Sequence, residues 1–241
     1  MNAWDIAGII LFLFFTIVYH AGYYVYAQRY PLATVKGKVH LYRRTWIKRI
    51  IDRNDYILGV QAFRNLITSS SFMASSSLLV MGIVLNSMLR SPEEIAATLH
   101  VEDAGDLQLK LGILIAVYAF SFMNFLFNIR FLNQLTVLMG ADPDLIDHVE
   151  GVDAVEYFTA MLNSATNRYT FGQRGFYFSL AIIAWIFSSI AFVIVTAAIG
   201  IFLIAFMDFQ RWLPPKALRR ASDLPTEPTE AQQPRLVPKS P

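Results

Sequence analysis

Four stretches of this chain, residues 3–26, 66–89, 111–129 and 176–207, stay apolar for about 20 residues or more, the length a helix needs to cross a ~30 Å hydrocarbon layer. Composition agrees: 55% of residues are hydrophobic and 16% charged, against about 45–50% and about 25% in ordinary soluble domains. The expected fold class is all-α: a polytopic membrane helix bundle of four transmembrane helices over residues 1–209, with cytoplasmic amphipathic helices and a disordered C-terminal tail. The first stretch is too long for a signal-peptide core and no small-residue cleavage site follows it, so it is expected to remain as an anchor.

Charge sets the expected orientation in a cell inner (plasma) membrane. Arg29, Lys36, Lys38, Arg43, Arg44, Lys48, Arg49 and Arg53 lie between the first two spans, and the positive-inside rule puts that loop in the cytoplasm. The N-terminus then lies outside. The second loop carries only Arg90 and Lys110; the third, inside again, carries Arg130, Arg168 and Arg174. The tail does not fit, because Arg211, Lys216, Arg219 and Arg220 closely follow the last span. An inside tail needs an odd number of spans, either by splitting the long last run or by counting residues 155–171. The larger bias of the first loop decides for both termini outside.

In the basic loop, Val39, Tyr42, Trp46 and Ile50 share one helical face, the pattern of a helix resting on anionic lipid headgroups. Residues 36–53 are therefore an expected contact with anionic lipids. A second cytoplasmic helix, capped by Asp142 with Pro143 at its first position, is acidic through Asp144, Asp147, Glu150, Asp153 and Glu156. Docking of the acidic helix on the basic one and two separately solvated faces are both open. The tail, residues 210–241, holds seven of the ten prolines and too little apolar surface to offset its ordering entropy.

The second span carries most of the polarity. On a helix, Gln61, Arg64, Thr68, Ser71, Ser75, Gly82 and Asn86 fall in one narrow stripe, with Asn65 beside Arg64, and the stripe is roughly 37 Å long at 1.5 Å per residue. Lipid cannot solvate such a face, so it is expected to look inward, as a packing seam or a polar path. On the third span Ser121, Asn124 and Asn128 share a face, and the serine stripe of the second span, with Ser71 and Ser75, is the expected partner of these amides. Asn163, Asn167 and Arg168 read as cap and loop chemistry before the last span, and Arg130 as an interfacial anchor. Ala181, Ala184, Ser188, Ala191 and Ala198 read as a close helix–helix seam, within or between protomers. His20, beside Tyr19 and Tyr23, reads as boundary structure or as a proton relay.

No spacing of histidines and carboxylates suits a metal, no phosphate loop or nucleophile elbow occurs, and cysteine is absent, so neither a cofactor nor an enzyme is expected. A net charge of +2 gives no reason to expect nucleic acid. The segments "VYHAGYY", "NDYILGVQAFRNLITSSSFMASSSLL", "FSFMNFLFNIRFLNQLTVLMGADP" and "LNSATNRYTFGQRGFYFSLAIIAWIF" resemble the membrane-protein family catalogued as domain of unknown function 599, found in bacteria and plants. The resemblance covers residues 1–209 and implies the four-span layout. Its family-like positions are His20, Asn54, Asp55, Gln61, Arg64, Asn65, Arg130, Asn133, Gln134, Asn167 and Arg168, and it implies no activity. The expected function is a non-enzymatic oligomeric scaffold or an accessory subunit of a larger membrane complex, with copies of itself or other membrane subunits as partners. The alternative is a channel or transporter through the polar stripe of the second and third spans.

Overall fold

The computed structural model describes residues 2–90, 94–95 and 106–209. They form seven helices: α1 Ala3–Arg29, α2 Val35–Arg53, α3 Tyr56–Met88, α4 Leu107–Leu138, α5 Pro143–Glu150, α6 Ala154–Phe187 and α7 Ser189–Asp208. No strand occurs among the described residues. Four helices, α1, α3, α4 and α7, are long and apolar enough to cross a membrane, the number expected. The expectations for the tail fall outside the described residues.

The last apolar run is built differently from the expectation. Residues 176–207 are not one helix, because the chain leaves helical geometry at Ser188 (φ −159°, ψ 133°), which caps α7. Serine competes for nearby backbone N–H groups and so favours N-caps over helix interiors; the Ser188–Ser189 pair was the signal. Past the break the chain doubles back. Trp185 stacks on Phe192, Tyr177 meets Phe202 edge-on and Arg174 pairs with Asp208, so α6 and α7 form an antiparallel hairpin. The small-residue seam through Ala181, Ala184, Ser188, Ala191 and Ala198 therefore does not exist as one helical face.

α1 lies parallel to α7. The Phe192 ring lies where a side chain on Gly8 would be, and the Phe15 ring does the same at Gly200, so both glycines are there for close approach. α7 consequently ends at the same end of the bundle as α1. Asp208, the last residue of α7, accordingly lies against Tyr19 and Tyr23 of α1, on the side from which α1 leads into the basic loop.

α6 is also longer at its start than the sequence implied. It begins at Ala154, capped by Asp153, and runs unbroken for 34 residues, about 51 Å at 1.5 Å per residue. Asn163, Asn167 and Arg168 are mid-helix, not cap or loop residues. The acidic stretch divides at Gly151 (φ 68°) into α5 and the first turn of α6.

The long helices outreach a bilayer, and the bundle has two tiers with different physics. Counting about 20 residues from Met88 and from Phe187 brings the apolar tier to near Thr68 on α3 and Asn167 on α6. Below that level Ile47, Ile50, Phe63, Leu132, Leu135, Phe158 and Leu162 form a core like that of a soluble protein, where burial stabilises by roughly 25 cal/mol per Å². There α2 docks on α6: Ile47 and Ile50 enter the core, Arg44 pairs with Glu156 at 2.8 Å and Arg43 donates to Asn163 at 3.1 Å. The docking of basic on acidic helix is thus realised at its edge. Burial drives it, since an ion pair this exposed contributes about 0.2–1 kcal/mol. In the upper tier lipid supplies no hydrophobic drive, and close packing and polar clamps hold the helices.

Candidate functional site

The predicted polar stripe and the predicted amide face separate in the structure. Ser121, Asn124 and Asn128 are buried inside the bundle as expected, but the serine that meets them is Ser70, on the other side of α3 from the predicted stripe: its hydroxyl donates to Asn128 Oδ1 at 2.5 Å. Asn128 Nδ2 in turn donates to the Ala165 carbonyl at 2.7 Å, joining α3, α4 and α6. Gln61, Arg64, Asn65, Thr68, Ser71, Ser75 and Asn86, however, are all exposed. The stripe looks away from its own bundle, because α3 buries the neighbouring face of Gly59, Phe63, Ser70, Ala74, Ser77 and Val84. Two circumstances make that tolerable. Gln61 and Arg64 lie below the apolar tier, and Thr68 donates its hydroxyl to its own helix, at the Arg64 carbonyl, which lowers the cost of facing lipid. Arg130 is likewise exposed.

A different set of residues converges where α1 and α7 end. Each helix there widens into a π segment, Phe14–Tyr19 and Leu203–Asp208. The extra residue per turn re-aims the side chains that follow, and π turns often mark functional sites. Arg174 and Asp208, 9% and 3% exposed, form a buried ion pair. Tyr19 donates to the other Asp208 oxygen at 2.6 Å, so the carboxylate is satisfied. Arg174 also donates to His20 Nδ1 at 2.9 Å. A guanidinium has no acceptor to offer, so Nδ1 accepts and the imidazole proton sits on Nε2.

From below, α2 closes this centre with Lys36 and Arg43, and together they line a cavity of about 180 Å³. A side chain on Gly37 would strike the Pro31 backbone, so glycine is what lets the first turn of α2 pack back on the turn that follows α1. Lys36 Nζ stands 4.0 Å above the Tyr24 ring. Burial and the neighbouring Arg174 pull its ammonium down to about 8, only partly offset by Asp208. Burial also lowers Arg43. Three cations thus face one cavity with one carboxylate, and that carboxylate is already engaged. The excess of about two positive charges is what an anion would neutralise.

Of the sequence candidates, His20 and Asn167 line this cavity, and Arg168 lines its open flank with its guanidinium 5.4 Å from the Phe127 ring. Arg130 and the α3 stripe take no part. Sequence reasoning missed Asp208, saw Arg174 only as loop charge, and placed Lys36 and Arg43 in a basic loop resting on anionic lipids. One signal pointed there: Asp5 and Asp208 are the lone acids at the ends of the first and last apolar runs, and a carboxylate in such a place needs a buried partner.

A lipid-length helical bundle with an internally paired arginine defines this chain as an integral membrane protein. The family model described as "Protein of unknown function, DUF599" matches residues 7–211. The chain belongs to that family. No curated protein and no solved structure matches it.

Proposed function

We propose that this protein is a binding protein of the inner membrane, not an enzyme, and that it holds an anionic group in the cavity between Lys36, Arg43 and Arg174. The observation that carries this reading is the uncompensated charge: three cations and one engaged carboxylate around a cavity of about 180 Å³. In this reading α1, α3, α4, α6 and α7 all cross the bilayer, five in number, with the basic loop in the cytoplasm. The anion then arrives from the cytoplasmic side.

Sulfate is a suitable probe because its charge is constant near neutral pH. At constant ionic strength, replacing chloride by sulfate raises the Tm of the purified protein more than that of Lys36→Gln/Arg43→Gln, since a ligand selective for the folded state stabilises it. General salting effects act on both proteins alike. The excess shift fades as pH rises through about 8, where Lys36 loses its proton. Equal shifts in both proteins would refute the reading.

The five-crossing layout makes its own prediction about the tail. A reporter fused after residue 241 is active in the cytoplasm, like one inserted at residue 38; an external tail reporter would leave four crossings.

A second reading rests on the exposed α3 stripe and keeps the assembly role expected from sequence. Thr68, Ser71, Ser75 and Gly82 would meet the same face of a second copy, where hydroxyls both donate and accept and small residues let backbones approach. In this cysteine-free chain, Ser71→Cys and Ser75→Cys then form oxidative dimers in native membranes while Ser69→Cys, exposed about 120° away around the same helix, does not. Equal cross-linking at all three positions would remove this reading. A path through the bundle loses its support, because the stripe and the Asn124–Asn128 face point in different directions.

A further inference from the structure

The cationic cavity does not stand alone. Two further clefts adjoin it, of about 670 and 370 Å³, and both share His20 and Phe171 with it. The second of these runs upward between α1 and the α4–α6 pair, lined by Phe12, Ala116, Val117, Phe120 and Phe178. From His20 to Phe12 it rises about 12 Å at 1.5 Å per residue, away from the basic end and into the apolar tier. α1 leaves this space open because it packs on α7, held by ring-on-glycine contacts at Gly8 and Gly200 and by the Tyr19–Asp208 bond. Charge at one end and hydrocarbon walls at the other make an amphipathic slot in the wall of a membrane protein.

We infer that this slot binds a lipid with a phosphate monoester headgroup, the phosphate between Lys36, Arg43 and Arg174 and one hydrocarbon chain along Phe12, Val117 and Phe120. The inference rests on the anion-binding reading above and adds the chain. A phosphate monoester carries about −1.5 to −2 charge at pH 7, which matches the excess of about two positive charges. A phosphodiester lipid, with a single charge, leaves one cation over. The His20 Nε2–H is free to donate to the same headgroup, while Nδ1 is held by Arg174.

Phosphate affinity also ties the slot to pH through Lys36. Its neighbours are Tyr24, Tyr23 and His20 from α1, Arg43 from its own helix, Arg174 from α6 and Asp208 from α7. With its ammonium pulled down to about 8, Lys36 is protonated near neutrality and headgroup binding draws a proton to it. Lipid retention accordingly falls between pH 7 and 9, beyond any change in headgroup charge.

The test uses the full-length protein in nanodiscs of phosphatidylcholine with or without phosphatidic acid, and measures the Tm and the lipid retained on native mass spectrometry. Wild type retains phosphatidic acid in preference to phosphatidylcholine. Lys36→Gln/Arg43→Gln lowers that preference about tenfold or more, the scale of two headgroup cations. Ala116→Trp, which fills the apolar arm, abolishes the preference yet keeps the stabilisation by inorganic phosphate in detergent. If Ala116→Trp retains phosphatidic acid like wild type, or inorganic phosphate alone gives the full stabilisation, the chain-binding inference falls and the anion site stands. If neither phosphate nor lipid distinguishes wild type from the double variant, both fall.

Discussion

Asp208→Ala destabilises the protein by about 3–5 kcal/mol, the cost of leaving a buried charge without its partner. Arg174 is 9% exposed and has one carboxylate among the described residues. Without it the guanidinium keeps only the His20 bond and the Tyr23 ring, whose centroid is 5.6 Å away. Tyr19, at the π segment of α1, loses its acceptor as well. The double variant Arg174→Leu/Asp208→Leu recovers most of the loss, because the pair itself adds little beyond what apolar packing of that volume provides. Thermal unfolding of tagged protein in mild detergent measures all three. A single variant as stable as wild type would show that water or lipid headgroups reach Arg174. The double variant also loses one of the three cavity cations, so it separates stability from anion binding.

The second large effect belongs to the opposite end of the same helix. Asp5 is 4% exposed, accepts from the Trp185 indole N–H at 2.7 Å and from the Ser189 hydroxyl, and completes the capping box with Asn2. Asp5→Ala strands those two donors and leaves buried Lys110 without its nearby carboxylate. Unsatisfied buried donors cost about 1–3 kcal/mol each, and partial rearrangement near the helix end brings the expected loss to about 2–4 kcal/mol. Asp5→Asn keeps an acceptor oxygen and falls between wild type and Asp5→Ala in the same melt. An Asp5→Asn as unstable as Asp5→Ala would make the negative charge, rather than the hydrogen bonds, the source of the effect. The two clamps, Asp5 above and Asp208 below, pin α1 to the α6–α7 hairpin and so keep the lateral slot open on its other side.

Much of the architecture was legible in the chain because the bilayer reads length and hydropathy along a single helix. The number of long apolar helices, the Asp142–Pro143 start of α5 and the buried face of Ser121, Asn124 and Asn128 all follow from local pattern. The resemblance to the family was legible on other grounds, four polar-bearing segments that follow one another in order along the chain. The errors fell where neighbours decide. The stripe on α3 was correctly drawn as one face, but helical periodicity groups residues without saying which group turns inward. Packing against α4 chose the side of Phe63, Ser70 and Ala74 instead.

Sequence alone therefore determined that the chain is helical, that four of its segments are long and apolar enough for a membrane, and that the first loop is strongly basic. Tertiary structure decided where the last run folds back, at which end of the bundle α7 finishes and which charges meet. Arg174 and Asp208 are 34 positions apart and His20 lies 154 positions before Arg174. No local rule brings these three together. Their meeting depends on the turn at Ser188 and on two π segments whose positions are set by how α1 and α7 pack.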